Sequence, residues 1–218
     1  MRAAELGCAA LVDAMGRIHT HRAHILALAS PDPKRPLFGP AVTVAYLPYR
    51  DDLPEAEFGF AHLFYRAIGQ DPTGGVLVLS SGGYPDVAHG GGTKLSRVMN
   101  NRLAGVLTDG RLRDFDELRR YDFATWCRGE ATRWGGETVM PYAANIAVEV
   151  AGVLITPGDY VYADSAGAVV IPAGSLDRVL DEASKIDAED RESLEQIRQE
   201  RTKGTQSHRQ TVAESETK

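Results

Sequence analysis

Residues 71–83, DPTGGVLVLSSGG, followed by GGGTKLSRVMNNRLAG at 90–105 and AGVLTDG at 104–110, decide the fold. The first stretch is a turn, a short apolar run and a glycine-rich exit, the pattern of a strand buried on both faces. The second opens with glycines and sets Leu95, Val98 and Met99 at helical spacing; the third supplies another buried strand. Strand, helix and strand at this spacing predict a βαβ unit and an α/β class.

Working outward, apolar residues recur every three or four positions from Leu6 to Ile18, which predicts an amphipathic helix. The prolines of ASPDPKRPLFGP then interrupt regular structure, AVTVAYLP predicts a strand, and AHLFYRAIG predicts a helix. DFDELRRYD predicts a short helix with Asp114 or Asp116 near its start. NIAVEVAGVLITPGDYVYADSAGAVVIP holds three or four short strands separated by Gly, Pro and Asp turns. From Ser175 the pattern is helical, with Leu176, Val179, Leu180, Ala183 and Ile186 on one face. The division expected is one domain over residues 1–202 with its C-terminal helix, and a disordered polar tail over 203–218.

The chain of 218 residues, 43% hydrophobic and 25% charged, suffices for one core. A net charge of −6 leaves no broad basic face for a nucleic-acid backbone, so small molecules or proteins are the expected partners. Cys8 and Cys127 lie far apart without CxxC spacing, and no apolar run approaches the ~20 residues of a membrane span. A cytoplasmic, reduced protein is expected.

In parallel α/β architecture, functional groups gather where loops leave the carboxyl ends of strands. Two exits qualify: SSGGYPDVAHGGG after Val76–Leu79 and DGRLRD after Val106–Leu107. Glycines Gly90, Gly91 and Gly92 before a helix can present backbone N–H groups and the helix dipole to a carboxylate or phosphate. They can equally just make a turn. Arg113 can offer a bidentate fork to a carboxylate or a developing enolate oxygen, and Asp114 a hard oxygen to a divalent cation. A surface ion pair with an N-cap Asp is the plainer reading of the same spacing.

At these residues the sequence resembles the class II 4-hydroxy-4-methyl-2-oxoglutarate/4-carboxy-4-hydroxy-2-oxoadipate aldolases and their non-catalytic relatives, the RraA-type regulators of ribonuclease E. The resemblance runs from about Leu11 to Ala183. LVDAMGR is similar to the family's first helix, GPAVTV to its first strand, AGVLTDGRLRDFDEL to its central signature, and VAGVLITPGDYVYADSAGAVVIP to its C-terminal β segment. It implies an RraA-like αββα sandwich of the swivelling phosphohistidine-domain type, assembled as homotrimers or homohexamers with sites at subunit interfaces. It also implies Mg²⁺ or Mn²⁺ as cofactor and no Schiff base.

Residue by residue, the resemblance makes Arg113 the arginine that steadies a pyruvyl enolate, Asp114 the metal carboxylate and Glu117 the acid three residues on. Gly91, Gly92, Thr93 and Lys94 match the turn whose amides bind the substrate carboxylate. The family's aldolases carry an acid 21 positions before the arginine, where this chain has Gly92. His89, on the same loop, is a candidate replacement for proton transfer. A decarboxylation of a β-keto acid such as oxaloacetate, which begins with loss of CO₂, is another response to the missing acid; a different substrate met by Lys94 is a third. The function expected is therefore a metal-dependent carbon–carbon lyase on a small 2-oxo acid, aldolase-like or decarboxylase-like, with an RraA-type protein-binding regulator as the alternative.

The remaining candidates read as structural. His19, His21 and His24 lack an acidic or cysteine partner, so a surface cluster is expected rather than a ligand set. Asp109 and Gly110 make a turn that could place Asp109 behind the metal; TPGD and DSAGAV are turn chemistry; Trp126 and Trp134 serve packing or a subunit interface.

Overall fold

The computed structural model describes the backbone of residues 2–215 and the side chains of residues 2–199. In chain order the elements are α1 Arg2–Ile18, β1 His24–Ile25, β2 Leu37–Pro48, α2 Glu55–Phe58, α3 Phe60–Ile68, β3 Val76–Ser80, β4 Ala88–Gly90, α4 Gly92–Asn100, β5 Gly105–Thr108 and β6 Arg111–Leu112. After these come α5 Phe115–Leu118, β7 Ala124–Trp126, β8 Val139–Ala144, β9 Val148–Val150, β10 Val153–Ile155, β11 Tyr160–Asp164, β12 Gly167–Ile171 and α6 Leu176–Ser215.

The βαβ unit is present. β3 and β5 pair in parallel from Val76↔Gly105 to Leu79↔Thr108, joined through α4, and every residue of both strands is buried. The principal sheet has the order β1-β12-β11-β2-β3-β5-β7, with β8 also on β2. The twelve-residue β2 belongs to both halves. Its start, Leu37 to Pro40, pairs with β11, while Ala41–Ala45 pair with β3 and Val44–Pro48 with β8.

Alternation along these strands sorts the apolar side chains into three clusters. Leu77, Leu79 and Val106 point to Leu63, Phe64, Leu95 and Val98 of α3 and α4. The opposite faces, Val76, Val78, Leu107 and Trp126, meet Val161, Ala163, Ala168 and Val170 from β11 and β12 and the β9–β10 hairpin. The outer faces of β11 and β12, Tyr162, Val169 and Ile171, receive Leu11, Ala14 and Met15 of α1 and Val179, Ala183 and Ile186 of α6. Helices, sheet, sheet, helices is the αββα arrangement, and the period-2 pattern of each strand produces it.

α1 is longer than the periodicity predicts, but Gly7 breaks it at φ 76°, ψ 169°, and Asp164 of β11 accepts the Cys8 N–H at 2.9 Å through Oδ2. The helix thus takes its cap from a distant turn. α6 buries Val179, Leu180, Ala183 and Ile186, as expected. Its side chains beyond residue 199, where the polar tail of 203–218 is expected, lie outside the described residues. No described helix is long and apolar enough to cross a membrane.

Candidate functional site

β3 and β5 leave the sheet side by side, and Asp109 ties their exits together. Its Oδ1 accepts the Ser81 N–H at 2.8 Å, while Oδ2 accepts the Ser81 hydroxyl at 3.0 Å and the Ala151 N–H at 3.3 Å. A carboxylate so engaged braces the sheet end. The short parallel pair of β4 and β6 continues the brace, and Arg113 N–H donates to Gly90 O at 2.9 Å. This stitch sets the Arg113–Asp114 step beside the glycines that open α4.

A cavity of about 170 Å³ results. Gly90, Gly91, Thr93 and Lys94 line one side, Arg113 and Asp114 the other, with Ala88 and Trp134 completing the wall. Asp114 holds the left-handed conformation, φ 63° and ψ 46°, which Asp tolerates better than most residues. In that conformation its carboxylate does not cap its own helix: Oδ2 accepts the Gly92 N–H at 3.0 Å, and Oδ1 lies 4.0 Å from Arg113 Nε. The Gly92 amide is thereby spent within the protein. The Thr93 and Lys94 amides, in the first turn, have no intrahelical acceptor by helix geometry and stay available to a ligand.

Lys94 is half-buried, its Nζ 5.6 Å from the centroid of the Phe60 ring. Burial, then the Arg97 charge, lowers its pKa from the usual 10.5. Two cations and one carboxylate therefore face a small cavity at a helix N-terminus, an arrangement that attracts an anion. Glu117 stands behind this front. Its Oε1 accepts the Tyr121 hydroxyl at 2.6 Å, and that bond, with burial, pushes the phenol up to about 12.

His89 is corrected by its geometry. The ring is 1% exposed, with Nδ1 2.9 Å from Val87 O and Nε2 3.2 Å from Ser81 O, and it takes no part in the cavity lining. Gly110 leaves it room, since a Cβ there would fall 2.2 Å from Nδ1. Tyr46 donates its hydroxyl to His89 O at 3.0 Å. A neutral imidazole carries one N–H, so one ring nitrogen faces a carbonyl without a proton between them. Burial lowers the pKa from 6.5, so His89 braces the loop as a neutral ring.

Of the residues singled out in the sequence, Gly91, Thr93, Lys94, Arg113 and Asp114 share the cavity, Gly92 and Glu117 adjoin it, and His89 turns away. Trp134, read from the sequence as a packing or interface residue, lines the cavity, and Tyr121 was not singled out. Tyr121 lies four residues after Glu117, a spacing that could have found it although α5 itself ends at Leu118; Trp134 reaches the cavity through tertiary folding, without a sequence signal. His19 Nε2 lies 3.0 Å from Ser175 Oγ, and the rings of His19 and His21 lie tilted at 44° with centroids 5.0 Å apart. No group of three or more His, Cys, Asp or Glu among the described residues could hold a metal by itself. A cation held here would have Asp114 as its one lining carboxylate, the coordination of an ion such as Mg²⁺ that keeps waters and takes few protein ligands.

The fold and this cavity define a four-layer α/β protein with an anion-attracting site at the carboxyl ends of parallel strands. The chain belongs to the RraA-like family described as Aldolase/RraA, whose model matches residues 8–170. It is 27% identical over 150 residues to protein DlpA of Legionella pneumophila, covering 69% of this chain and 24% of that protein. A protein of Halalkalibacterium halodurans, provisionally named a 4-hydroxy-4-methyl-2-oxoglutarate aldolase, is 30% identical over 125 residues, 57% of this chain and 59% of that one. The matched segments thus span from a quarter to three-fifths of these curated relatives. Among solved structures, Streptomyces coelicolor RraAS2, described as an unusual member of the RNase ES inhibitor RraA family, aligns with TM-score 0.73 at 26% identity, over 88% of this chain and 93% of that one.

Proposed function

We propose that the protein is a divalent-metal-dependent carbon–carbon lyase acting on a small 2-oxo acid through a pyruvate-type enolate. The carrying observation is the convergence of Arg113, Asp114 and the first turn of α4 on one cavity. The aldolase name of the Halalkalibacterium halodurans relative supports the same class.

Asp114 would hold Mg²⁺ or Mn²⁺, which when bound polarises a 2-oxo carbonyl as a Lewis acid. The Thr93 and Lys94 amides, at the positive end of α4, take the substrate carboxylate. Arg113 lies against the oxygen that gains charge as the enolate develops, where a fixed guanidinium does most for the transition state. In the retro-aldol direction a bound water takes the C4-hydroxyl proton, the C3–C4 bond breaks as C4 becomes a carbonyl, its electron pair forms the enolate, and a proton returned by water to C3 releases pyruvate. A β-keto acid would reach the same enolate by losing CO₂.

The test is ¹H NMR of pyruvate in D₂O with the purified protein, with and without Mg²⁺. Metal-dependent loss of the methyl signal is expected, and Arg113→Ala is expected to slow it by roughly a hundredfold or more. Absence of exchange both with and without Mg²⁺ overturns the lyase reading. The likeness to RraAS2 then favours a binding protein that caps a partner's surface.

A further inference from the structure

The cavity has a charged end and an apolar wall. Lys94, Arg113 and Asp114 stand with the opening turn of α4, while the wall is made by Ala88 of β4 and Trp134. Backbone contacts fix that wall. Trp134 bridges Ala88 in parallel, the Ala88 N–H donates to Arg133 O at 3.0 Å, and a Cβ on Gly135 would fall 2.5 Å from Ala88 O, so a larger residue at 135 would push the segment off β4. Gly136 lies against the indole, where a Cβ would fall 2.1 Å from Trp134 Cζ2. Held in this way, the Trp134 indole is 56% exposed and makes no hydrogen bond or ring contact among the described residues, whereas Trp126 is buried in the core.

Cations close to Trp134 in the fold are directed elsewhere. Arg133 precedes it, but neighbours in an extended segment point to opposite faces, and Arg133 does not line the cavity. Arg111 and Arg128 are engaged by Asp86 at 3.4 and 3.3 Å. A carboxylate brought against this wall would exchange water for a methyl group and the electron-rich face of an indole. A planar apolar group would pay no such penalty and would gain an aromatic contact.

Length sets which part of a ligand meets the wall. Ala88 precedes Gly91 by three residues, ~10 Å at the rise of a strand. A 2-oxo acid held by its carboxylate at the α4 turn spans about 4 Å from C1 to C4. The group carried by C4 is therefore what reaches Ala88 and Trp134.

We propose that Ala88 and Trp134 form a subsite for a planar, apolar group on C4 of the 2-oxo acid, with Trp134 as the specificity-determining residue. The chemistry rests on the lyase reading; the binding preference does not. With an aryl group there, the C4 hydroxyl gives its proton to water, the C3–C4 bond breaks, C4 leaves as an aryl aldehyde, and the electron pair stays on the enolate that becomes pyruvate. The second product is then an aldehyde and not another oxo acid.

The test compares two acids that differ only in what C4 carries, 4-phenyl-2-oxobutanoate and 2-oxoglutarate, neither of which has a C4 hydroxyl to cleave. Calorimetric titration with Mg²⁺ present is expected to show the phenyl acid binding at least about tenfold more tightly. That ratio should fall toward one in Trp134→Ala and stay within about threefold of native in Trp134→Phe, which keeps a ring. Pyruvate release from 4-hydroxy-2-oxo-4-phenylbutanoate and from 4-hydroxy-2-oxoglutarate should show the same preference in kcat/KM.

Equal binding of the two acids, tighter binding of 2-oxoglutarate, or no binding of either overturns the subsite. So does a ratio unchanged in Trp134→Ala; if that variant also sediments differently, Trp134 belongs to a contact between copies. If the protein neither exchanges pyruvate nor cleaves either hydroxy acid, the lyase reading fails, and the calorimetric ratio alone decides the subsite.

Discussion

His89 shows how one side chain can belong to the candidate loop and still serve the fold. Its ring is enclosed by Val87 O, Ser81 O, Tyr46 and the bare Gly110, and burial favours the neutral form. With the folded pKa below the unfolded value of 6.5, the unfolded chain binds more protons between the two. The contribution is therefore present above 6.5 and lost as pH falls toward the folded value. Urea unfolding between about pH 7.5 and 5.5 should show stability declining toward acid, and His89→Gln should flatten part of that decline. An unchanged slope in the variant would mean that other groups carry the pH dependence.

At the scale of elements, the glycines of the strands and helices are not equivalent. Gly105 of β5 has Ala124 O of β7 at 2.0 Å and Leu37 Cδ1 at 2.6 Å from where a Cβ would lie, so strand pairing itself requires its bareness. Gly105→Ala is expected to cost about 1–3 kcal/mol, as overpacking does, and to lower the melting temperature by about 2–10 °C for a chain of this size. Gly16 of α1 has nothing within 4 Å of its virtual Cβ. Gly16→Ala is expected to stabilise by about 0.5–1 kcal/mol through helix propensity, and calorimetry on the two variants should give shifts of opposite sign.

For the whole molecule, α6 has a packed start and, over its described side chains from 187 to 199, a largely solvated continuation. Val179, Leu180, Ala183 and Ile186 close the cluster over β11, β12 and α1, and Arg17 of α1 reaches Glu182 and Glu189 at 3.0 and 2.8 Å. Leu194 and Ile197 are more than half exposed. A chain ending after Glu192 is expected to melt within about 2 °C of the full chain, since surface residues away from packing contribute little. A chain ending before Leu176 uncovers Leu11, Met15 and Ile171 and is expected to be insoluble or unfolded in circular dichroism. A soluble, native-like product of that second truncation would remove α6 from the structural core.

Hydrophobic periodicity by itself determined the α/β class, the βαβ unit, the strands of the C-terminal segment and the buried face of α6, because those signals are local and repeat at 2 or 3.6 residues. Chain spacing also brought Arg113 and Asp114 to notice as neighbours after a buried strand. The two-sheet layering needed β2 to change partners along its length, and the cavity needed β4 to pair with β6; both are contacts between distant segments. For the same reason the sequence could nominate His89 by its place on the loop but not know which way its ring turns. Only the tertiary structure decided that Asp114 and Glu117 lie against Gly91 and Gly92, because whether two side chains can share a volume is settled by how separate elements pack.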